Sequence, residues 1–140
     1  MIFDHNEGLE EARERNVRDA LFEDVGRGDW TGQLVPAGRR IAARVLVREG
    51  AVLCGREWFD GCLLALDAQA RVDWKHPEGA DMPANATVCE IEADARALLS
   101  AERPALNFLQ MLPGTATITR RDVRAIDGAS PQPHGCAVLD

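Results

Sequence analysis

Between Ile41 and Ile91 the apolar residues switch from spacing at every second position to helical spacing and back again. A chain with that pattern has to lay a sheet against helices. Residues 41–47 alternate, with Ile41, Ala43, Val45 and Val47 on one side, and the Glu49-Gly50 turn leads to a second short strand, Ala51-Val52-Leu53-Cys54. Residues 56–66 gather Trp58, Phe59, Cys62, Leu63 and Leu66 on one helical face. Residues 71–75 and 87–91 return to period two, with turns supplied between them by Pro77-Glu78-Gly79 and Pro83-Ala84-Asn85-Ala86. Upstream, Ala12, Val17, Ala20, Leu21 and Val25 mark a helix over residues 9–25, which Gly26 and Gly28 end. Downstream, Asp94 is placed to cap a helix opening Ala95-Arg96-Ala97-Leu98-Leu99. Pro104 falls inside that helical pattern, so either the helix kinks there or a second helix starts with Pro104 at its first position. The pattern continues through Leu106, Leu109, Gln110 and Leu112 to Pro113-Gly114. Residues 115–126 are amphipathic without a clear type, residues 128–135 read as a loop, and Cys136-Ala-Val-Leu139 reads as a buried strand. Two strands, a helix, two strands and a long helix make an α+β sandwich.

At 140 residues the chain is one domain, or one domain and the start of another. Its net charge of −7 disfavours nucleic acid and anionic membrane as general partners, because the long-range field repels phosphate. Small anions can still be held by local arginines, which supply every basic side chain except Lys75. Cys54, Cys62, Cys89 and Cys136 form no C-x-x-C pair and, with His5, His76 and His134, no zinc pattern, so they read as reduced thiols. No apolar run approaches the ~20 residues that span a bilayer, and residues 1–8 are too polar for a signal peptide, which points to the cytoplasm. There is no phosphate-binding glycine loop, no dinucleotide fingerprint and no serine or cysteine with a base partner. Glu23-Asp24 and Asp29 flank glycines at a helix end and read as turn and interface residues.

The segments Leu21-Phe-Glu-Asp-Val-Gly-Arg-Gly-Asp29, Arg48-Glu-Gly-Ala-Val-Leu-Cys-Gly55, Ser100-Ala-Glu-Arg-Pro-Ala-Leu-Asn-Phe-Leu-Gln110, Gly114-Thr-Ala-Thr117 and Val138-Leu139-Asp140, taken together, resemble quinolinate phosphoribosyltransferase, also called carboxylating nicotinate-nucleotide pyrophosphorylase. The resemblance runs from about Asn16 to Asp140 and covers the first part of the family's sequence, up to the point where a Thr-Arg-Lys motif is expected. It implies an α/β-hammerhead sandwich over residues 1–112 and, over residues 113–140, the first elements of an α/β barrel. The implied reaction joins quinolinate to phosphoribosyl pyrophosphate and yields nicotinate mononucleotide, pyrophosphate and CO2. It also implies a homodimer or higher homo-oligomer, and Mg2+ on ligands beyond this chain. The ligand set stops at Asp140, so the 140-residue chain alone is expected to be inactive.

Arg103 is the leading site residue. A cation in a mostly apolar helical run calls for an anion, and a helix restarting at Pro104 would put Arg103 at its N-terminal end, where anions are favoured. The resemblance implies that Arg103 reaches across a dimer interface to quinolinate in the neighbouring subunit; the alternative is an intrahelical ion pair with Glu102 or Asp94. Glu102 and Asn107 belong to the same motif. Arg120 and Arg121 resemble a basic pair in the family's next helix, with phosphate as a candidate ligand, and Asp140 matches the residue before the missing motif. Three other readings stand beside this one: a non-catalytic dimerisation domain, a related phosphoribosyltransferase for another substrate, and a carrier hairpin. The last lacks a lysine at its tip, since Lys75 precedes it.

Overall fold

The computed structural model describes residues 7–26, 34–36 and 38–129. Helix α1 (Leu9–Val25) is followed by strand β1 (Arg40–Leu46), strand β2 (Ala51–Val52), helix α2 (Arg56–Leu66), strand β3 (Arg71–Trp74), strand β4 (Asp81–Met82), strand β5 (Thr87–Asp94) and helix α3 (Ala95–Ile126). The α+β reading holds. The strands form an antiparallel three-stranded sheet ordered β1-β5-β3 and a small β2-β4 ribbon.

Register explains which face of the sheet is dry. Ala43 and Val72 both lie opposite Ile91, and Val45 and Trp74 both lie opposite Cys89. With Ala93, these residues form one apolar face, as period two requires. Val17, Phe59, Cys62, Leu63, Ala101 and Ala105 from the three helices bury against it. The other face alternates charge across the strands: Arg44 stands opposite Glu90 and Arg71 opposite Glu92. Lys75 bridges Asp73 at 2.5 Å and Glu90 at 2.7 Å. Such a face belongs in water.

The helices are closed by devices of different kinds. Asp94 accepts from the backbone of Arg96 at 3.0 Å and of Ala97 at 3.2 Å, so it caps α3 as its sequence position predicts. Asp67 then ties this corner: one oxygen accepts the Asp94 N–H at 2.8 Å and the other the Gln69 N–H at 2.9 Å. These amides, with Arg40 nearby, hold the Asp67 carboxyl below the usual carboxylate range. The amino end of α2 has no cap from its own flank. Glu78, 22 residues or more away, supplies it by accepting from Gly55 N at 2.6 Å and Arg56 N at 3.2 Å.

Three expectations are corrected. Pro104 neither kinks the chain into two helices nor starts a new one: α3 runs unbroken for 32 residues through Pro104 and Pro113. Each proline costs the helix one backbone hydrogen bond, but both rings are buried, and their packing keeps the axis continuous. Residues 115–126, ambiguous in sequence, are the last turns of that same helix. Finally, β4 lies between the two expected turns, where no strand is expected, because a two-residue strand has no period. The expected strand over residues 136–139 lies outside the described residues.

Candidate functional site on helix α3

Arg103 sits mid-helix, not at a helix N-terminus as the restart at Pro104 would have it. Its side chain is 78% exposed, and its Nη1 forms an ion pair with Asp24 Oδ1 at 3.3 Å. The partner is therefore neither Glu102 nor Asp94, but an acid in the last turn of α1. Asn107 is exposed one turn further along, on the same side of α3 as Arg103.

Glu102 occupies the neighbouring flank. It stands on the rim of a groove of about 650 Å³ between β1 and α3, with Arg44, Arg48 and Asn85 on the rim and Phe59, Leu63, Ile91 and Ala105 below. Asn85 adopts a left-handed backbone at φ 63°, a conformation asparagine tolerates better than most residues. A second apolar groove of about 570 Å³ continues past Leu106 to Leu109, Pro113 and Ile118.

Arg120 and Arg121 lie elsewhere. Seventeen residues of helix separate Arg120 from Arg103, about 25 Å along the axis, so the two cannot share one site within a single chain. Arg120 donates to Asp81 at 3.2 Å and to the Gly79 carbonyl at 3.0 Å, and Arg124 donates to the same Asp81 oxygen at 2.7 Å. Arg121 is exposed beside them, on the wall of a shallow hollow that also includes Thr117 and Ala51. Asp140 lies outside the described residues. Among the described residues no three His, Cys, Asp or Glu side chains gather as a metal site would need, so these residues do not fit a Mg2+ site. No described helix is long and apolar enough to cross a membrane.

Several interactions of polar side chains could not be read from sequence. Asp60, half-buried in α2, accepts from the indole Nε1 of Trp74 at 3.0 and 3.1 Å. Burial raises its pKa and the indole hydrogen bond opposes the rise. Arg56 lies over the Trp74 ring at 5.1 Å, a cation–π contact. The Asp24–Arg103 pair was another. Its only signal in the sequence was a pair of acids in the final turn of α1, where the helix dipole disfavours them. Burial pushes the thiols of Cys62 and Cys89 up to about 12, so both remain protonated and unreactive at neutral pH.

The model of the quinolinate phosphoribosyl transferase N-terminal domain matches residues 29–112, more than half of the chain. The nicotinate-nucleotide pyrophosphorylase (carboxylating) of Mycobacterium leprae is 35% identical over 125 residues, 84% of this chain and 43% of its own length. The human enzyme of that name is 35% identical over 114 residues, 81% of this chain and 37% of its own. Among solved structures, the nicotinate-nucleotide pyrophosphorylase from Francisella tularensis superposes with a TM-score of 0.82 at 34% identity, covering 91% of this chain and 45% of that one. NadC from Streptococcus pyogenes gives 0.79 at 27% identity, covering 87% and 44%. The chain thus spans less than half the length of each of these relatives. The α+β sandwich with its long closing helix is the architecture these structures share with it, and the chain belongs to the quinolinate phosphoribosyltransferase family, whose N-terminal domain it carries.

Proposed function

We propose that this chain acts in a quinolinate phosphoribosyltransferase of pyridine nucleotide biosynthesis, and that Arg103 delivers its guanidinium to quinolinate bound in a neighbouring subunit. The observation that carries this reading is the exposure of Arg103 on a buried, well-anchored helix within a chain of this family. An arginine held this way presents a planar fork that takes a carboxylate by two parallel hydrogen bonds. Quinolinate carries two carboxylates. Fixing one of them orients the ring nitrogen toward the anomeric carbon of phosphoribosyl pyrophosphate, which is a gain in positioning. Asn107 lies one turn away and can accept or donate beside it. Arg120 and Arg121, about 25 Å further along, would meet a different anion or none.

Residues 1–112 are assigned to the sandwich domain and residues 113–140 to the approach to a barrel. Homo-oligomerisation is required, because Arg103 serves the partner's site. Mg2+, when bound, would supply charge neutralisation for a departing pyrophosphate, on ligands other than the described residues. A cytoplasmic setting suits such metabolism.

The test is quinolinate- and phosphoribosyl pyrophosphate-dependent formation of nicotinate mononucleotide by the native gene product. Arg103→Ala should raise KM for quinolinate about tenfold or more, the cost of leaving one carboxylate without its guanidinium, while the protein stays folded. Unchanged kinetics in this variant would sink the role of Arg103. A wild-type protein that forms no product would overturn the whole reading in favour of a non-catalytic dimerisation domain.

A further inference from the structure

The last turn of α1 carries Glu23 and Asp24 and no basic residue. Carboxylates there face the negative end of the helix dipole, which disfavours them. The compensating charge comes from another element: Arg103 of α3 reaches Asp24 through Nη1 at 3.3 Å. The pair is unequal in its surroundings. The Asp24 carboxylate is 24% exposed, whereas the Arg103 side chain is 78% exposed. The acid is therefore the seated member, and the arginine projects past it into solvent.

A guanidinium has five N–H donors. Contact through Nη1 leaves the Nε–Nη2 edge unengaged among the described residues, and that edge is the fork that matches a carboxylate. A free arginine of this exposure wanders over many rotamers, and any ligand that fixes it bears that entropic cost. Asp24 removes part of the cost in advance by restricting one end of the side chain without occupying the other.

We propose that Asp24 is a positioning residue for Arg103, a carboxylate tether on α1 that keeps the Nε–Nη2 edge of the guanidinium turned outward for the carboxylate of an incoming pyridine dicarboxylate. This inference rests on the reading of Arg103 given above. It makes a directional claim, because Asp24 has two opposed effects. Its negative charge repels a dianionic substrate, so its removal by itself would lower KM. Its hold on Arg103 does the reverse, so losing the tether raises KM. Asp24 wins through the tether.

The experiment compares Asp24→Asn, Asp24→Glu, Arg103→Ala and the Asp24→Asn/Arg103→Ala double variant in the native gene product. For Asp24→Asn, KM for quinolinate should rise about three- to fivefold, the scale of an exposed ion pair, with kcat and KM for phosphoribosyl pyrophosphate nearly unchanged. Asp24→Glu should restore most of the loss. In the Arg103→Ala background, Asp24→Asn should do nothing further. In parallel, the Arg103 Nη hydrogens should give separate, slowly rotating NMR signals in the wild type and a single averaged one in Asp24→Asn. A KM that stays level or falls in Asp24→Asn, or rises equally without Arg103, overturns the tether. If Arg103→Ala itself is silent, the failure lies with the substrate role of Arg103; if Arg103→Ala is impaired and Asp24→Asn is not, it lies with the tether alone.

Discussion

Gly55 has φ 94°, and a Cβ built on it would stand 2.6 Å from Leu112 Cδ1. An alanine there bears left-handed strain, while the atom it would meet is the far end of the half-buried, flexible Leu112 side chain. Gly55→Ala should therefore lose about 1–3 kcal/mol of stability, read as a lower denaturant midpoint; a loss within experimental error would mean that the left-handed turn at Gly55 relaxes freely. Asp60 makes the opposite kind of prediction. Burial raises its pKa in the folded chain. Its protonated form is thus favoured by folding, and stability falls as pH rises from the ordinary aspartate value, about 3.9, through the raised value. Asp60→Asn keeps an oxygen for Trp74 Nε1 and removes the buried charge. It should be more stable than the wild type at pH 7, with the advantage fading as pH falls through the raised value and gone below about 4. Thermal melts at several pH values check this; an advantage independent of pH would point to packing instead.

At the scale of elements, α3 holds the molecule together and its two halves are held differently. Its first half is buried by α1, α2 and the sheet. Its last turns, from Thr119 on, are largely exposed and fastened by Arg120 and Arg124 to Asp81. Thr117 adds one link, accepting from Val52 N at 2.9 Å while donating to the Pro113 carbonyl at 2.6 Å. Asp81→Ala should leave global melting almost unmoved, since exposed pairs contribute little. Amide exchange over residues 118–126 should quicken about fivefold; equal exchange rates would show that the helix stands without its clasp. Part of this element was legible in sequence: the Asp94 cap announced its start, and Leu98, Leu106 and Leu109 its helical spacing, whereas the buried Ala101 and Ala105 were not singled out. Its continuity was not legible. Proline reads locally as a break, and only the burial of Pro104 and Pro113 against other elements overrides that reading. β4 escaped notice for a related reason: two residues pair because β2 lies beside them.

For the whole molecule, the sheet face was written in period two, and the strand order β1-β5-β3 follows from bringing Ile91 and Cys89 to the centre of the core. The candidate site divides along the same line. Arg103 was identifiable by its type and its neighbours in the motif, but its partner Asp24 was not, because the two are 79 positions apart in the chain and only the crossing of α1 with α3 joins them. The same holds for Glu78 at the head of α2 and for Asp81 beneath Arg120. Periodicity reports which face is dry; it carries no information about which charges meet across the fold.

An unbroken α3 has a further consequence, for how this sequence can change with time. A helix is a ruler with an angular scale: each residue advances it about 1.5 Å and turns it about 100°. Between Arg103 and Arg120 the exposed side chains are replaceable in principle, but the count of residues is not. One inserted residue would leave each local contact chemically plausible and yet swing Arg120, Arg124 and all that follows about a quarter turn away from Asp81. This stretch of the gene should accept substitutions at its exposed positions and reject changes of length, even there.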